Sequence, residues 1–247
     1  MKRIKTEPDA EFTSMLRRIL QKRKNFCWDD LQNEPELKSR LYKAKIAEQG
    51  GKCGYCECDL KPLNEKNRVH LDHFYQRRTH KKSEFEWDNI VLSCTSDHNC
   101  GRWKDHKSNI PSEQIYDPHK ENPREGMTFV VEGDDTAQIC HQGRSRNSIS
   151  AISLSERGEK TISALNLNFK KLRTERRNAL YEFEGDICSC EALCSEMINE
   201  GKELAPIWEY VELELLPKLE KSPFSSALLA FAEQKLRAYF PEQWPNE

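Results

Sequence analysis

Two pairs of cysteines enclose the part of the sequence that is richest in chemically reactive residues. Cys53 and Cys56 form a C-x-x-C pair around Gly54, and Cys94 and Cys100 form a second pair further along the chain. Four thiolates can hold a zinc ion in tetrahedral geometry, and a site with four protein ligands is closed and therefore structural. Because a single C-x-x-C pair also serves redox enzymes, the prediction of a structural Zn²⁺ site depends on the second pair.

The spacing of the second pair leaves the identity of one zinc ligand undecided. Five residues lie between Cys94 and Cys100, which is longer than the usual spacing of about two to four residues. Cys58 or His98 could therefore replace one of the four cysteines.

Residues suited to phosphodiester hydrolysis lie between the two cysteine pairs. Hydrolysis needs a general base for water and a divalent cation for the growing negative charge. A neutral imidazole near pH 7 suits the base, a role we predict for His73. A carboxylate suits Mg²⁺ or Mn²⁺, a role we predict for Asp72. Asn89 is expected to hold the nearby loop or to orient His73. Each of the three could otherwise be an ordinary polar residue, and only their joint position favours a site.

The adjacency of Asp72 and His73 imposes a geometric condition. Neighbouring residues of a regular strand point to opposite faces, so both side chains cannot face one phosphate from such a strand. The sequence therefore predicts that the strand ends or kinks at His73, where a basic loop towards Trp87 begins.

The elements that must position these residues follow from the spacing of the apolar residues. Helices are predicted over residues 9–24, 36–49, 100–107 and in most of the chain after 155, and short strands over 69–71 and 90–92. A β-hairpin is predicted from Met127–Val131 and Thr136–Cys140. The expected class is α+β, predominantly helical, with a small zinc-stabilised core and a short β-hairpin.

Length and charge define the expected organisation. A chain of 247 residues can form one or two domains; we divide it into an N-terminal helical segment (1–50), a zinc-knuckle module (51–110) and a β-hairpin plus helical region (111–247). The net charge is only −2, but basic residues concentrate around the module. Four of them are predicted to bind a nucleic-acid backbone without reading its sequence: Arg77, Arg78, Arg102 and Lys104.

Membrane association is not expected. No apolar run approaches the roughly 20 residues of a membrane span. No apolar segment follows the basic N-terminus either, so we expect no signal peptide and a cytoplasmic protein.

The order of these motifs resembles the HNH, or ββα-metal, nucleases. More narrowly, it is similar to the PtuB proteins, the HNH subunits of Septu anti-phage systems and of some retron defence systems. The specific motifs are confined to residues 53–105, and weaker similarity extends from residue 40 to residue 180. The segments that carry the resemblance are Cys53–Glu57, Asp72–Phe74, Trp87–Asn89, Ser93–Cys94 and Cys100–Asp105.

The resemblance implies a ββα-metal core in which His73 is the general base and Asp72 is a metal ligand. Many HNH proteins carry a second metal ligand directly after the last cysteine, where this chain has Gly101. Asp105, one helical turn later, matches a position that bears a ligand in some HNH nucleases. Three other residues compete for this role: His98, Asn99 and His106.

The resemblance also implies partners. It predicts an endonuclease that cleaves DNA as the effector subunit of an anti-phage complex with an ABC-type ATPase similar to PtuA, and with a reverse transcriptase and its DNA product in a retron system. The sequence contains no P-loop, so any use of ATP would belong to the partner. The helical C-terminal region is the expected docking surface, with four aromatic residues as anchors or, for Trp208 especially, as core residues: Trp208, Tyr210, Phe240 and Trp244.

Three alternatives stay open at this point. RNA, including tRNA, could replace DNA as the substrate, because such sites contact the backbone more than the bases. The chain could also be a zinc-stabilised nucleic-acid-binding subunit without catalysis, or an assembly subunit.

Overall fold

The structure is a computed structural model that describes residues 1–60, 69–132 and 148–243. It is a mixed α+β protein with helices and, within these ranges, two separate two-stranded antiparallel sheets. The chain divides into two compact units. The first consists of Met1–Gly126 with Leu154–Leu167, and the second of Met127–Ser153 with Asn168–Glu247. Residues of the predicted N-terminal segment and of the zinc module thus share one unit. Trp244 lies outside the described residues.

Two helices open the first unit. Helix α1 (Ala10–Lys22) begins where the Asp9 carboxylate accepts a hydrogen bond from Phe12 N at 2.7 Å, which satisfies one of the free N–H groups of the first turn. Helix α2 (Pro35–Glu48) begins with a proline and ends, as predicted, before two glycines with φ of 61° and 72°. A short 3-10 helix (Trp28–Asn33) joins them. These elements share one buried cluster with two residues from later in the chain, Trp87 and Ile90. The members of the cluster are Phe12, Leu16, Phe26, Leu31, Leu37, Leu41, Trp87 and Ile90.

Two strands and one helix carry most of the predicted site residues. Strand β1 (Val69–His73) pairs in antiparallel fashion with β2 (Ile90–Cys94), with Asp72 opposite Val91. Helix α3 (Cys100–His106) follows and contacts both strands. The strands predicted over 69–71 and 90–92 are confirmed and are slightly longer, and β1 ends at His73 as the geometric condition required.

Helix α4 (Glu156–Ala164) completes the first unit and supports the loop before α3. Cys100 N donates to Leu165 O at 2.8 Å, and the Asn166 side chain donates to His98 O at 2.7 Å. The turn that ends α4 therefore holds the segment between the last two predicted zinc ligands.

The second unit combines a small sheet with long helices. Strand β3 (Met127–Glu132) pairs with β4 (Ser148–Ser153). The strand predicted over Thr136–Cys140 lies outside the described residues. Strand β4 buries Ile149 and Ala151, and the Asn168 amide both accepts from Ala151 N and donates to Ala151 O at 2.8 Å.

Helices fill the rest of the second unit, as predicted for the chain after residue 155. Helix α5 is the longest, and a π-helical segment connects α6 to α7. Among the described residues, no helix has both the length and the apolar character needed to cross a membrane. The elements are α5 (Lys170–Asn199), α6 (Ala205–Tyr210), the π segment (Val211–Leu215), α7 (Leu216–Lys221) and α8 (Ser225–Leu236).

Candidate metal centres

The four predicted zinc ligands converge in the first unit. The Sγ atoms of Cys53, Cys56, Cys94 and Cys100 all lie within 4.8 Å of one another, and those of Cys56 and Cys94 are 4.0 Å apart. A zinc ion with Zn–S bonds of about 2.3 Å requires S···S distances of about 3.8 Å in a regular tetrahedron. All four thiols are free of disulfide bonds. This group can hold a metal ion, and its donor set is compatible with zinc.

Hydrogen bonds around this cysteine cage favour the thiolate form that metals bind. The Cys94 N–H donates to Cys53 Sγ at 3.3 Å, and the Asn99 amide donates to Cys100 Sγ at 3.0 Å. Hydrogen bonding from Cys100 lowers the pKa of Cys94 to about 5, and, despite burial, hydrogen bonds from the neighbouring thiols also lower the pKa of Cys53. The pKa values of Cys56 and Cys100 are raised, so metal binding would have to release protons from these two thiols.

The two alternative zinc ligands are not in this group. Cys58 closes the first knuckle through its backbone, because Cys58 O accepts from Cys53 N at 2.9 Å. His98 is exposed at the surface. The Cys58 thiol lies next to the cage, because side-chain hydrogen bonds with Cys53, Cys56 and Cys94 raise its pKa, but the group whose ligand atoms all lie within 4.8 Å of one another is the four-cysteine set.

A second group of possible metal ligands consists of His70, Asp72 and Asp105, whose ligand atoms also lie within 4.8 Å of one another. We call it the His-Asp-Asp cluster. His70 and Asp72 point to one face of β1 because they are two residues apart, and Asp105 comes from α3. His70 was missed as a ligand by sequence reasoning, although its position two residues before Asp72 was a usable signal.

The geometry of this cluster fits a divalent cation. His70 Nε2 and Asp72 Oδ1 are 3.8 Å apart, and both atoms are buried without a hydrogen-bond partner. Such orphaned polar atoms are costly in a protein interior. Ligand distances of about 2.0–2.2 Å would let one ion bind both atoms and remove that cost.

The other oxygen of Asp72 is held by protein groups. Oδ2 accepts a hydrogen bond from the Tyr55 hydroxyl and lies 3.4 Å from Lys104 Nζ. Burial raises the pKa of the Asp72 carboxyl to about 7, although the Lys104 ammonium opposes this shift. A nearby cation would favour the charged carboxylate and reverse the shift, so cation binding to Asp72 would be linked to the release of a proton.

Lys104 is part of the cluster's frame, and its predicted contact with nucleic acid is wrong. Its ammonium group is only 2% exposed and donates to His73 O and Asp105 Oδ1, both at 2.9 Å. Burial lowers its pKa, but the Asp72 and Asp105 carboxylates outweigh burial and raise it overall. Lys104 is therefore charged and committed to internal partners, and it cannot reach a phosphate backbone.

Gly101 explains why no ligand follows the last cysteine directly. A Cβ atom built there would lie 2.9 Å from Asp72 Cγ, 3.0 Å from Asp72 Cβ and 3.1 Å from His70 Cδ2. The missing side chain lets α3 approach β1 closely enough to bring Asp105 to Asp72. Of the competing residues, Asn99 bonds the cysteine sulfurs and His106 is exposed.

His73 lies beside the cluster without belonging to it. Its ring packs edge-on against Trp28 with ring centroids 4.3 Å apart, and Nε2 is 2.9 Å from Glu84 O. A carbonyl can only accept, so Nε2 carries the proton and the lone pair of the neutral ring is on Nδ1. Burial lowers the pKa of His73 to about 4, and the imidazole is therefore neutral at pH 7.

Asn89 holds both ends of the basic loop, which corresponds to the first of its two expected roles. Its Oδ1 accepts from Tyr75 N at 2.7 Å, and its Nδ2 donates to Ser83 O at 2.9 Å and to Tyr75 O at 3.2 Å. Within the described residues no hydrogen bond joins it to His73.

The three predicted arginines remain available for a phosphate backbone. Arg77 pairs with Asp29 at 2.8 Å and Arg102 with Asp97 at 2.9 Å, and both side chains are partly exposed. Arg78 is exposed. Exposed ion pairs are worth about 0–1 kcal/mol, so an arriving phosphate can displace the two aspartates.

Comparisons with known proteins add no family to these observations. No model of a known protein family matches the chain, and no curated protein matches it either.

Proposed function

We propose that the chain is a metal-dependent endonuclease of the HNH type, which hydrolyses phosphodiester bonds and prefers DNA. Its cysteine cage would hold a structural Zn²⁺ ion, and its His-Asp-Asp cluster would hold a catalytic Mg²⁺ or Mn²⁺ ion. One observation carries the proposal. Two buried ligand atoms, His70 Nε2 and Asp72 Oδ1, face each other without partners, next in sequence to a neutral histidine.

The residues of the site would divide the work of hydrolysis. A cation bound to the His-Asp-Asp cluster would offset the charge of the phosphate and of the leaving oxygen. His73 would accept a proton from the attacking water at Nδ1, since its Nε2 is fixed on Glu84 O. Lys104 would hold Asp72 and Asp105 in place. Arg77, Arg78 and Arg102 would bind the backbone on either side.

The partners belong to the same proposal. The motif resemblance supports an effector subunit in an anti-phage complex with an ABC-type ATPase similar to PtuA, together with a reverse transcriptase and its DNA product in a retron system. Co-purification of this chain with such an ATPase, followed by mass determination of the complex, tests the assembly independently of catalysis.

Cleavage of supercoiled plasmid and of total RNA tests the activity. Zinc-loaded wild type, His73→Ala and His80→Ala are compared in Mg²⁺ or Mn²⁺, with and without the ATPase. His80 lies in the same basic loop and is half exposed, so it is the matched control. A general base contributes about 10²–10⁴-fold to a rate, and we expect that loss in His73→Ala alone.

The other outcomes separate the alternatives. Cleavage of RNA and not of plasmid would identify an RNA nuclease. Binding without cleavage by any variant would identify a non-catalytic nucleic-acid-binding subunit. Because His73 packs on Trp28, the thermal unfolding of His73→Ala is measured in parallel, and His73→Gln serves as a variant of more similar volume. Equal cleavage by His73→Gln and wild type would contradict the assigned base.

A further inference from the structure

A groove of about 270 Å³ lies beside the His-Asp-Asp cluster, between β1 and the N-terminal helices. His70 belongs to both features, since it lines the groove and its Nε2 lies 3.8 Å from Asp72 Oδ1. The groove therefore adjoins the candidate reaction centre. The lining residues that matter for its chemistry are Trp28, Asp29, Lys38, Tyr42, His70 and Arg77.

Its size selects a small occupant. Ligand clefts usually measure about 300–1,000 Å³, so this groove is slightly smaller than that range. It can accept one group of the size of a nucleotide. A base pair contains two nucleotides, so a duplex is too large to enter this groove.

Its lining matches an unpaired nucleotide. Trp28 and Tyr42 are partly exposed aromatic residues, and every base has a flat face that can stack on such rings. Lys38 supplies positive charge for a phosphate, and Arg77 does so once a phosphate displaces Asp29, its exposed partner at 2.8 Å in the same lining. Within the described residues, neither the Lys38 ammonium nor the Tyr42 hydroxyl has a hydrogen-bond partner, so both are available to a ligand.

The position of Trp28 links the groove to the reaction. Its ring lies against His73, at 4.3 Å between centroids, and Trp28 also lines the groove together with His70. A nucleotide bound in the groove would therefore lie next to residues of the candidate reaction centre. Single-stranded substrates bind in this way to grooves that combine aromatic and basic side chains.

We propose that this groove binds one unpaired nucleotide next to the scissile phosphate, so that the substrate is single-stranded nucleic acid or a duplex with an unpaired nucleotide at the cleavage point. The inference rests on the proposed function for the place of cleavage. The binding that it describes does not require cleavage.

Fluorescence anisotropy without added Mg²⁺ or Mn²⁺ tests the binding. Labelled probes are a 15-nucleotide DNA strand, the matching RNA strand and the 15-base-pair DNA duplex. The variants are Tyr42→Ala, Tyr42→Phe and Lys38→Ala, with Lys43→Ala as the control, because Lys43 is exposed on the same helix and does not line the groove.

We expect the single strands to bind at least tenfold more tightly than the duplex. Tyr42→Ala should weaken single-strand binding about tenfold through the loss of one stacking contact, and Tyr42→Phe should retain it. Lys38→Ala should reduce the slope of log K against log salt by about 0.7. Equal affinity for duplex and single strand, or variants of Tyr42 and Lys38 that behave like Lys43→Ala, would overturn the inference.

Failure of this inference is distinguishable from failure of the proposed function. If no probe is cleaved in Mn²⁺ but the binding pattern holds, the nuclease assignment fails and the groove stands. If the duplex is cleaved preferentially and the Lys38 and Tyr42 variants cleave like wild type, the groove assignment fails and the nuclease stands. The DNA and RNA strands identify which backbone the groove accepts.

Discussion

Replacing Gly101 with alanine should damage the His-Asp-Asp cluster while it leaves the cysteine cage intact. The new Cβ would lie 2.9–3.1 Å from three atoms of Asp72 and His70, whereas ordinary contacts of a Cβ begin near 3.4 Å. The neighbours must therefore move by up to about half an ångström, and overpacking of this kind costs about 1–3 kcal/mol.

Part of that cost is offset by the helix. Glycine to alanine within a helix stabilises it by about 0.5–1 kcal/mol, so the net loss in the free energy of unfolding should be about 0–2.5 kcal/mol. Displaced ligands are more serious for the site, since a misplacement of about 1 Å can cost about 100-fold in activity. We expect Mn²⁺ affinity to fall by about tenfold or more.

Electron paramagnetic resonance of free Mn²⁺ during a titration measures this affinity without any nuclease assay. Zinc content is measured on the same samples and should equal that of wild type. Gly185→Ala is the matched control, because Gly185 lies in α5 with nothing within 4 Å of the new Cβ. Wild-type Mn²⁺ affinity in Gly101→Ala, with a stability gain like that of Gly185→Ala, would refute the tight packing of α3 on the metal ligands.

Three further predictions concern the cysteine cage, the buried Lys104 and the pH dependence of stability. Cys56→Ser should lose the zinc ion, whereas Cys58→Ser should keep it, and a zinc content of Cys58→Ser below half that of wild type would contradict the assigned cage. Lys104→Met removes one partner of a buried charge pair, so the metal-free protein should lose about 3–5 kcal/mol. Adding Mn²⁺ should raise the melting temperature of this variant more than that of wild type, since the ion takes over from Lys104 in neutralising Asp72. An equal rise for both proteins in calorimetry would contradict the pairing of Lys104 with Asp72. Burial lowers the pKa of His119 to about 4, so the unfolded chain binds a proton that the folded chain excludes between pH 6.5 and pH 4. Stability is lost as the pH falls through this window, and His119→Asn should reduce that loss by up to about 3 kcal/mol. Urea unfolding at pH 7 and pH 4.5 checks this, and an unchanged difference would be the contrary result.

The cysteine cage could be predicted from the sequence because its ligands come in recognisable pairs. A C-x-x-C knuckle has a local geometry that depends on few other residues, and a second cysteine pair is a strong sign of a shared ion. Strands β1 and β2 and helix α3 were predictable for a similar reason, since short apolar runs between the ligands leave few arrangements.

The His-Asp-Asp cluster was only partly predictable. Asp72 and Asp105 were expected as ligands, but His70 was not, because a histidine that alternates with Asp72 on a strand can equally be an ordinary surface residue. Lys104 was misassigned because a basic residue on a short helix is usually exposed. Its burial depends on the close approach of α3 to β1, which Gly101 permits and which no local pattern reveals.

The remaining features could not be predicted from the sequence because they depend on contacts between distant residues. Strand β4 is rich in serine and weakly patterned, so its pairing with β3 depends on the burial of Ile149 and on the Asn168 side chain. The groove beside His70 is formed by residues from Trp28 to Arg77 that are far apart in sequence. Neither the β3–β4 pairing nor the groove is marked by a local sequence pattern.

The most direct test of the central claim is single-turnover cleavage measured against Mn²⁺ concentration, with zinc-loaded wild type, Asp72→Asn and Asp105→Asn. If the His-Asp-Asp cluster is the reaction centre, Asp105→Asn should need more Mn²⁺ for half-maximal cleavage, and Asp72→Asn should not cleave at any concentration. Both variants should retain zinc. Cleavage that Asp72→Asn performs at the wild-type rate would contradict the assignment of this cluster as the catalytic metal site.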